Sequence, residues 1–384
     1  MEELELVRAE WPTPEDGSLY FNTGSCGRKP ARVLRAIEEG WRKFNLNPTI
    51  ATFFDEEPLD SARSALSALT GLNADDILLV QNSTQALHLV LSSFLLERGD
   101  ELITTTHEHG SVNTISRWLT ETRGIVVRKV FVEPLSGEDT LFEGVYSFLN
   151  DKTRLVQLSE IDCFSGWRPD LTKIASHLGS LSVPFLIDGA HALGQGPVRT
   201  FKHAMYVGSC HKWLGAPNGT GFLYVPTRLA SKIKPVWLAD RYYNFYPQPL
   251  RKYEFQGTSD VVRWIGLNAA CSLQQELTPE WIGARQRELV KHLSERLRFA
   301  VSGSRVRTPL AEGETSGILC VTWDSERVKV PHLRDHLWEN YKIWAQPDYC
   351  YGDQGHGLRV SCHVSIEESD IDRLIDALRE VIRG

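Results

Sequence analysis

Hydrophobic positions along this chain recur with two periods. Short β-rich runs alternate with stretches in which apolar side chains return every third or fourth place. The first kind predicts strands at Ile77–Val80, Glu101–Thr106, Ile125–Val132, Arg154–Leu158, Pro184–Ile187, Met205–Val207 and Gly221–Val225. The second predicts helices over Ser83–Leu96, with Leu87, Val90, Leu91 and Phe94 on one face, over Ser111–Thr122, and from an Asp170 cap to Leu178. Such alternation predicts a mostly parallel α/β sheet covered on both faces.

Beyond about residue 265 the pattern changes. A long helix over Thr278–Phe299 leads to a strand at Ile318–Thr322, a helix near Pro331–Tyr341 and a strand at Leu358–Ser361. The last helix is expected to start at Ser365, capped in a Ser-x-x-Glu box closed by Glu368, with Ile371, Leu374, Ile375, Leu378 and Ile382 facing a core. The division this predicts is an N-terminal segment, 1–25, packing with a small domain, a large domain over 26–264, and a small α+β C-terminal domain over 265–384.

With 384 residues there is enough chain for a large domain and a smaller one. The net charge of −7 speaks against a general nucleic-acid binder, and the acidic start without an apolar run speaks against a secretory leader. The longest apolar stretch, near Leu87–Leu96, is too short to span a membrane. Seven cysteines at wide spacings, none in a CxxC pair, fit reduced thiols in a cytoplasm better than a disulfide framework or zinc site. His107-Glu108-His109 lacks a further nearby ligand group, so no metal is expected.

The chemistry gathers around one lysine. In GSCHKWLGAPNGTGFLYV, residues 208–225, Lys212 lies in a glycine-rich stretch nearly free of other charge. In FLIDGAHALGQGPV, residues 185–198, an apolar strand ends at Asp188, 24 residues before Lys212. Adjacent parallel strands would bring the carboxylate and the amine to one rim, where open α/β sheets bind ligands. Ser83 and Thr84 open a helix after a strand, a natural phosphate site, and Ser209 and His211 add donors beside Lys212. An amine, a buried carboxylate and a phosphate cradle are what pyridoxal phosphate requires.

These segments, together with LYFNTGSCGRKP (19–30), NSTQALHLV (82–90), TTHEHGSVN (105–113), EFQGTSD (254–260) and LRVSCHVSIEESDIDRLIDAL (358–378), resemble the class V aminotransferase family of fold-type I pyridoxal-phosphate enzymes. The resemblance runs over nearly the whole chain, and the segment 19–30 resembles especially the isopenicillin N epimerase-like branch of a family that also includes cysteine desulfurases and C–S lyases. It implies Lys212 as the Schiff-base lysine, Asp188 at the pyridine nitrogen, His109 over the ring face and His191 near the ring hydroxyl, with Cys163 beside it. Ser83, Thr84, Ser209 and His211 would hold the phosphate, and Thr258 the phosphate of a neighbouring subunit, which implies a homodimer. Arg359 would bind the substrate carboxylate, helped by Asn22. The expected activity is work at Cα or Cβ of a specialised amino acid, with an epimerase, aminotransferase or C–S lyase outcome. Cysteine desulfurase and a catalytically silent pyridoxal-phosphate binder are the alternatives.

Two departures matter. Many members carry asparagine or serine where this chain has Cys163, and His363-Val364-Ser365 replaces a Tyr-Asn pair. The desulfurase branch with a mobile Cys-Ala-Gln-Pro has its cysteine about fifteen residues before the substrate arginine. Here that segment reads Trp344-Ala345-Gln346-Pro347, so Trp344 is expected to present an apolar face to substrate. Cys350 would be a turn thiol, and the aromatics Tyr242, Tyr243, Phe245 and Tyr246 subunit packing.

Overall fold

The computed structural model describes residues 2–239, 250–254, 257–330, 332–347 and 356–382. Tyr242, Tyr243, Phe245, Tyr246 and Cys350 lie outside them. Two sheets organise the chain. The larger runs β2 (Ile77–Val80), β8 (Gly221–Tyr224), β7 (Met205–Ser209), β6 (Phe185–Asp188), β5 (Thr153–Ser159), β3 (Glu101–Thr105) and β4 (Val126–Val130) in that spatial order. Every neighbouring pair is parallel except the two that β8 makes. All seven strands expected from the first pattern are present, within a few residues at their ends.

The central strands are buried on both faces, which explains their largely apolar composition. Val156, Phe185, Ile187 and Tyr206 belong to one core layer, and Leu155, Leu186, Met205 and Val207 to the other. Burying each large apolar side chain contributes about 1.5–3 kcal/mol, which holds the strand ends in fixed register.

The smaller sheet runs β1 (Leu19–Phe21), β11 (Ile343–Pro347), β12 (Gly357–Ser361), β10 (Ile318–Thr322) and β9 (Arg305–Val306). The helices Pro279–Ala300 and Glu368–Val381 share a core with it, through Leu289, Leu293 and Leu297 from one and Ile371, Leu374 and Leu378 from the other. β1 pairs in parallel with β11, so a segment near the start of the chain completes a sheet built otherwise from its end.

Caps and several elements differ from expectation. Glu367 caps the last helix, and the box is closed by Asp370 rather than by Ser365 and Glu368. Ser365 is turned instead toward His363, whose Nδ1 it meets at 2.9 Å. Asp170 accepts from Thr172 N–H at 2.9 Å one position before the formal cap. Helices at Ala31–Phe44, Glu57–Thr70 and Val262–Leu277 were not foreseen. The first of them keeps a wide polar face, and the last is apolar around much of its circumference, because the other two pack against it.

Candidate active site

Because β2, β3, β5, β6 and β7 run the same way, their carboxyl ends meet at one rim, and a cavity of about 550 Å³ opens there. Its wall carries Ser83 and Thr84 after β2, His109 after β3, Asp188 at the end of β6 and Ser209, His211 and Lys212 after β7. Cys163 and His191 also line it. Residues far apart in the chain are thus brought together around the lysine.

The first turn of the helix Ser83–Ser93 forms one end. Asn82 caps it by accepting from Gln85 N–H at 2.9 Å. Ser209 Oγ donates to Ser83 Oγ at 2.9 Å and accepts from Ser83 N–H at 3.4 Å. Thr84 Oγ1 lies 3.0 Å from Ser111 Oγ. Hydroxyls and N–H groups therefore face the cavity at a helix N-terminus, which favours an anion. His211 commits Nδ1 to the Thr220 carbonyl at 3.1 Å, and burial lowers its pKa.

Asp188 is buried and Lys212 half-buried on the same cavity wall. Burial brings the Lys212 amine down to about 8, against the pull of Asp188. Burial also raises the Asp188 carboxyl, whose Oδ1 accepts from Ala190 N–H at 2.9 Å. Such a carboxylate gains stability when a cation is set beside it. Lys212 Nζ is 3.0 Å from His191 Nε2, and burial holds His191 well below its ordinary range. His109 caps the helix Gly110–Arg123, its Nδ1 accepting from Ser111 N–H at 3.2 Å.

Arg359, on β12, is buried behind this wall. Nη1 donates to the Cys163 carbonyl at 2.9 Å, and Nη2 to Asn22 Oδ1 at 3.0 Å and Ser25 Oγ at 2.9 Å. Those acceptors are all neutral, and among the described residues no carboxylate forms an ion pair with Arg359. A buried guanidinium without a counter-ion is suited to an incoming carboxylate. Asn22 also donates to Gln346 Oε1 at 3.2 Å, so it orients Arg359 rather than lining the cavity itself.

The segment from Asn22 to Gly27 is wedged between Arg359 and the lysine loop. Gly27 N–H donates to the His211 carbonyl at 2.9 Å, and a Cβ there would lie 1.9 Å from the Lys212 carbonyl oxygen. A Cβ on Gly24 would come within 3.3 Å of Arg359 Nη2 and of the His191 ring. At position 27 only glycine permits the approach, while at 24 a side chain would have to push the Arg359 or His191 side chain aside by a few tenths of an ångström.

Trp344 departs from expectation. Ile343 and Ala345 point into the small-domain core, so the pleat turns Trp344 to the other face of β11. There it packs edge-on against Trp338, ring centroids 5.6 Å apart, and under the Arg334 guanidinium at 5.2 Å. It is not among the cavity-lining residues. Thr258 is exposed and does not line the cavity of its own chain. Ser25, Cys26, Asn218 and Gly219 line the cavity without having been singled out. All four stand inside the quoted glycine-rich segments, which were the available signal. The His107-Glu108-His109 run points three ways. His107 meets Asp162 at 3.0 Å, and Glu108 is buried against Gln157 and Ser159, its carboxyl pushed up to about 7 by burial.

Residues 19–374 match the Aminotransferase class-V family. The chain belongs to that family. Isopenicillin N epimerase of Streptomyces clavuligerus is 28% identical over 378 residues, covering 93% of each chain. A probable cysteine desulfurase of Aeropyrum pernix is 26% identical over 411 residues, covering 98% of this chain and 97% of its own. In fold, the chain is like C-DES in a mutant with glycine covalently linked to its pyridoxal-phosphate cofactor. The TM-score is 0.85 at 22% identity, over 97% of this chain and 99% of that one. Pyridoxal phosphate is the cofactor of this family, and the donor set described above fits it: an amine of lowered pKa, a buried carboxylate and a hydroxyl-lined helix start around one cavity. Among the described residues no helix is long and apolar enough to cross a membrane.

Proposed function

We propose that this protein is a pyridoxal-phosphate enzyme that works at Cα or Cβ of a specialised amino acid, anchoring its cofactor on Lys212. The observation that carries the reading is the cavity in which Lys212, Asp188 and the Ser83–Thr84 helix start share one wall, with unpaired Arg359 behind it. When bound, pyridoxal phosphate supplies a sink for the electron pair left at Cα. Lys212, as an amine with a pKa of about 8, takes and returns the Cα proton near neutral pH. With the cofactor bound, Asp188 would hold the proton on its pyridine nitrogen, Ser83, Thr84, Ser209 and His211 would hold its phosphate, His109 would cover its ring face, and Cys163 and His191 would stand beside the ring. Arg359, oriented by Asn22, binds the substrate carboxylate. Thr258 serves the phosphate of a neighbouring subunit, so the working form is a homodimer, in a reducing cytoplasmic setting.

The outcome depends on where Lys212 returns the proton: return to Cα would give epimerisation, return elsewhere transamination, and loss of a β-substituent a lyase. The epimerase-like scaffold is the first reading. Cysteine desulfurase is the second, supported by the relatives of that name and by Cys26, whose Sγ stands on the cavity wall 3.1 Å from Asn218 Oδ1. Cys163 does not serve that reading, since burial pushes its thiol far up.

Borohydride reduction of the purified holoenzyme followed by peptide mapping should place the adduct on Lys212; an adduct on another lysine refutes the assignment. Incubating amino acids with the enzyme in heavy water and following Cα exchange and products separates the outcomes. Alanine and persulfide from cysteine, lost in Cys26→Ala or Cys350→Ala, would favour the desulfurase. Cofactor binding without exchange on any amino acid would favour a silent binder.

A further inference from the structure

Trp213, directly after the lysine, is fully buried, and its indole Nε1–H points at His191 Nδ1, 3.3 Å away. The other ring nitrogen of His191, Nε2, is 3.0 Å from Lys212 Nζ. An indole N–H can only donate. His191 Nδ1 must then be an acceptor, and the proton of the neutral imidazole sits on Nε2. An Nε2–H facing Lys212 finds a lone pair only on a neutral amine, because an ammonium has none. The three side chains therefore form a one-way chain of donors: indole to imidazole, imidazole to amine.

We infer that Trp213 is a positioning residue: it fixes which nitrogen of His191 carries the proton, and through His191 it biases Lys212 toward the free amine. The backbone holds the arrangement in place. Gln195 Nε2 donates to the His191 carbonyl at 2.8 Å, and the Lys212 loop is clamped by Gly27. The groups facing Lys212 otherwise pull both ways. Asp188 favours its charged form and Arg359 opposes it, while Cys163, whose thiol burial pushes up, and His109 and His211, which burial holds down, face it uncharged. Burial keeps His191 neutral, so it acts as a dipole whose direction matters. Without the indole N–H, the imidazole is free to carry its proton on Nδ1 and turn Nε2 into an acceptor for an ammonium. That reverses the bias on Lys212 with no change of net charge.

This rests on Lys212 being the reactive amine. The test uses the full chain stripped of cofactor, reading Lys212 acylation by mass spectrometry across pH. Trp213→Phe keeps an aromatic ring, smaller than the indole, and removes the N–H. Its labelling midpoint should rise by about one pH unit, so labelling near neutrality slows roughly tenfold. Glutamine at His191 can present an N–H whatever Trp213 does. In a His191→Gln background, Trp213→Phe should therefore leave the midpoint where it is, a coupling that general loosening of the loop would not produce. Equal midpoints in wild type and Trp213→Phe would overturn the inference. If Trp213→Phe does not fold, nitrogen-15 spectra of the wild-type histidines decide: a proton on His191 Nε2 supports the chain of donors, and one on Nδ1 overturns it. A borohydride adduct on another lysine would remove the catalytic setting but leave the His191 tautomer as measured, so the two failures are distinguishable.

Discussion

Replacing His363 by asparagine should flatten the acid sensitivity of this fold. His363 is buried at 5% exposure, with the Trp11 ring edge-on at 4.9 Å. Its Nδ1 accepts from Ser365 N–H at 3.2 Å, and the ring also hydrogen-bonds to the Trp213 backbone. A proton on Nδ1 would set donor against donor. Burial accordingly holds the imidazole down at about 4, against roughly 6.5 in an unfolded chain. Since the folded value is the lower one, the unfolded chain takes up the proton first on acidification. Stability present above about pH 6.5 is lost as the pH falls toward about 4. At about pH 5 the unfolded form is almost fully protonated and the folded form about one tenth. The loss from this residue between about pH 7.5 and 5 is therefore about 2 kcal/mol, rising to about 3 kcal/mol below pH 4. In His363→Asn, Oδ1 still accepts from Ser365 and does not titrate. Urea unfolding of cofactor-saturated wild type and variant at the two pH values measures the difference. If both lose the same stability, His363 is not held neutral by its surroundings and the reasoning fails.

Arg359→Gln should raise KM on the order of ten- to a hundredfold with a smaller change in kcat, since a charged hydrogen-bond pair is worth about 1.5–3 kcal/mol. Arg359→Lys should not restore it, because lysine lacks the fork that reaches Cys163, Asn22 and Ser25; steady-state kinetics on the identified substrate checks both. His211 has Nδ1 tied to Thr220, so it can donate to a phosphate only as an imidazolium. Binding of pyridoxal phosphate should therefore take up a proton at His211, visible as a dependence of the calorimetric heat on buffer ionisation enthalpy and absent in His211→Asn. Trp344→Ala should leave KM within about twofold, its ring being spent on Trp338 and Arg334, while costing about 1–3 kcal/mol of stability by thermal unfolding.

What the sequence by itself determined is what depends on neighbours along the chain. A strand buried on both faces is rich in apolar residues, so β2, β3, β6, β7 and β8 were readable to within a residue or two at their ends. The Asp188 and Lys212 segments were readable for the same reason, since each functional group follows directly from the end of such a strand. A phosphate cradle at Ser83 and Thr84 needs only a helix start after a strand. The helices before residue 72 were not readable, because their faces are set by the helix Val262–Leu277 that they cover, some 200 residues later. Only the tertiary structure decided the surroundings of the site. Register and pleat on β11 send Trp344 toward Trp338 and leave Gln346 for Asn22. The pairing of β1 with a strand from the end of the chain carries Asn22 and Ser25 to Arg359. The same assembly turns Trp213 onto His191. Most of these contacts join positions tens to hundreds of residues apart, and each depends on which face a residue presents after the sheets close, a property no local window of the sequence contains.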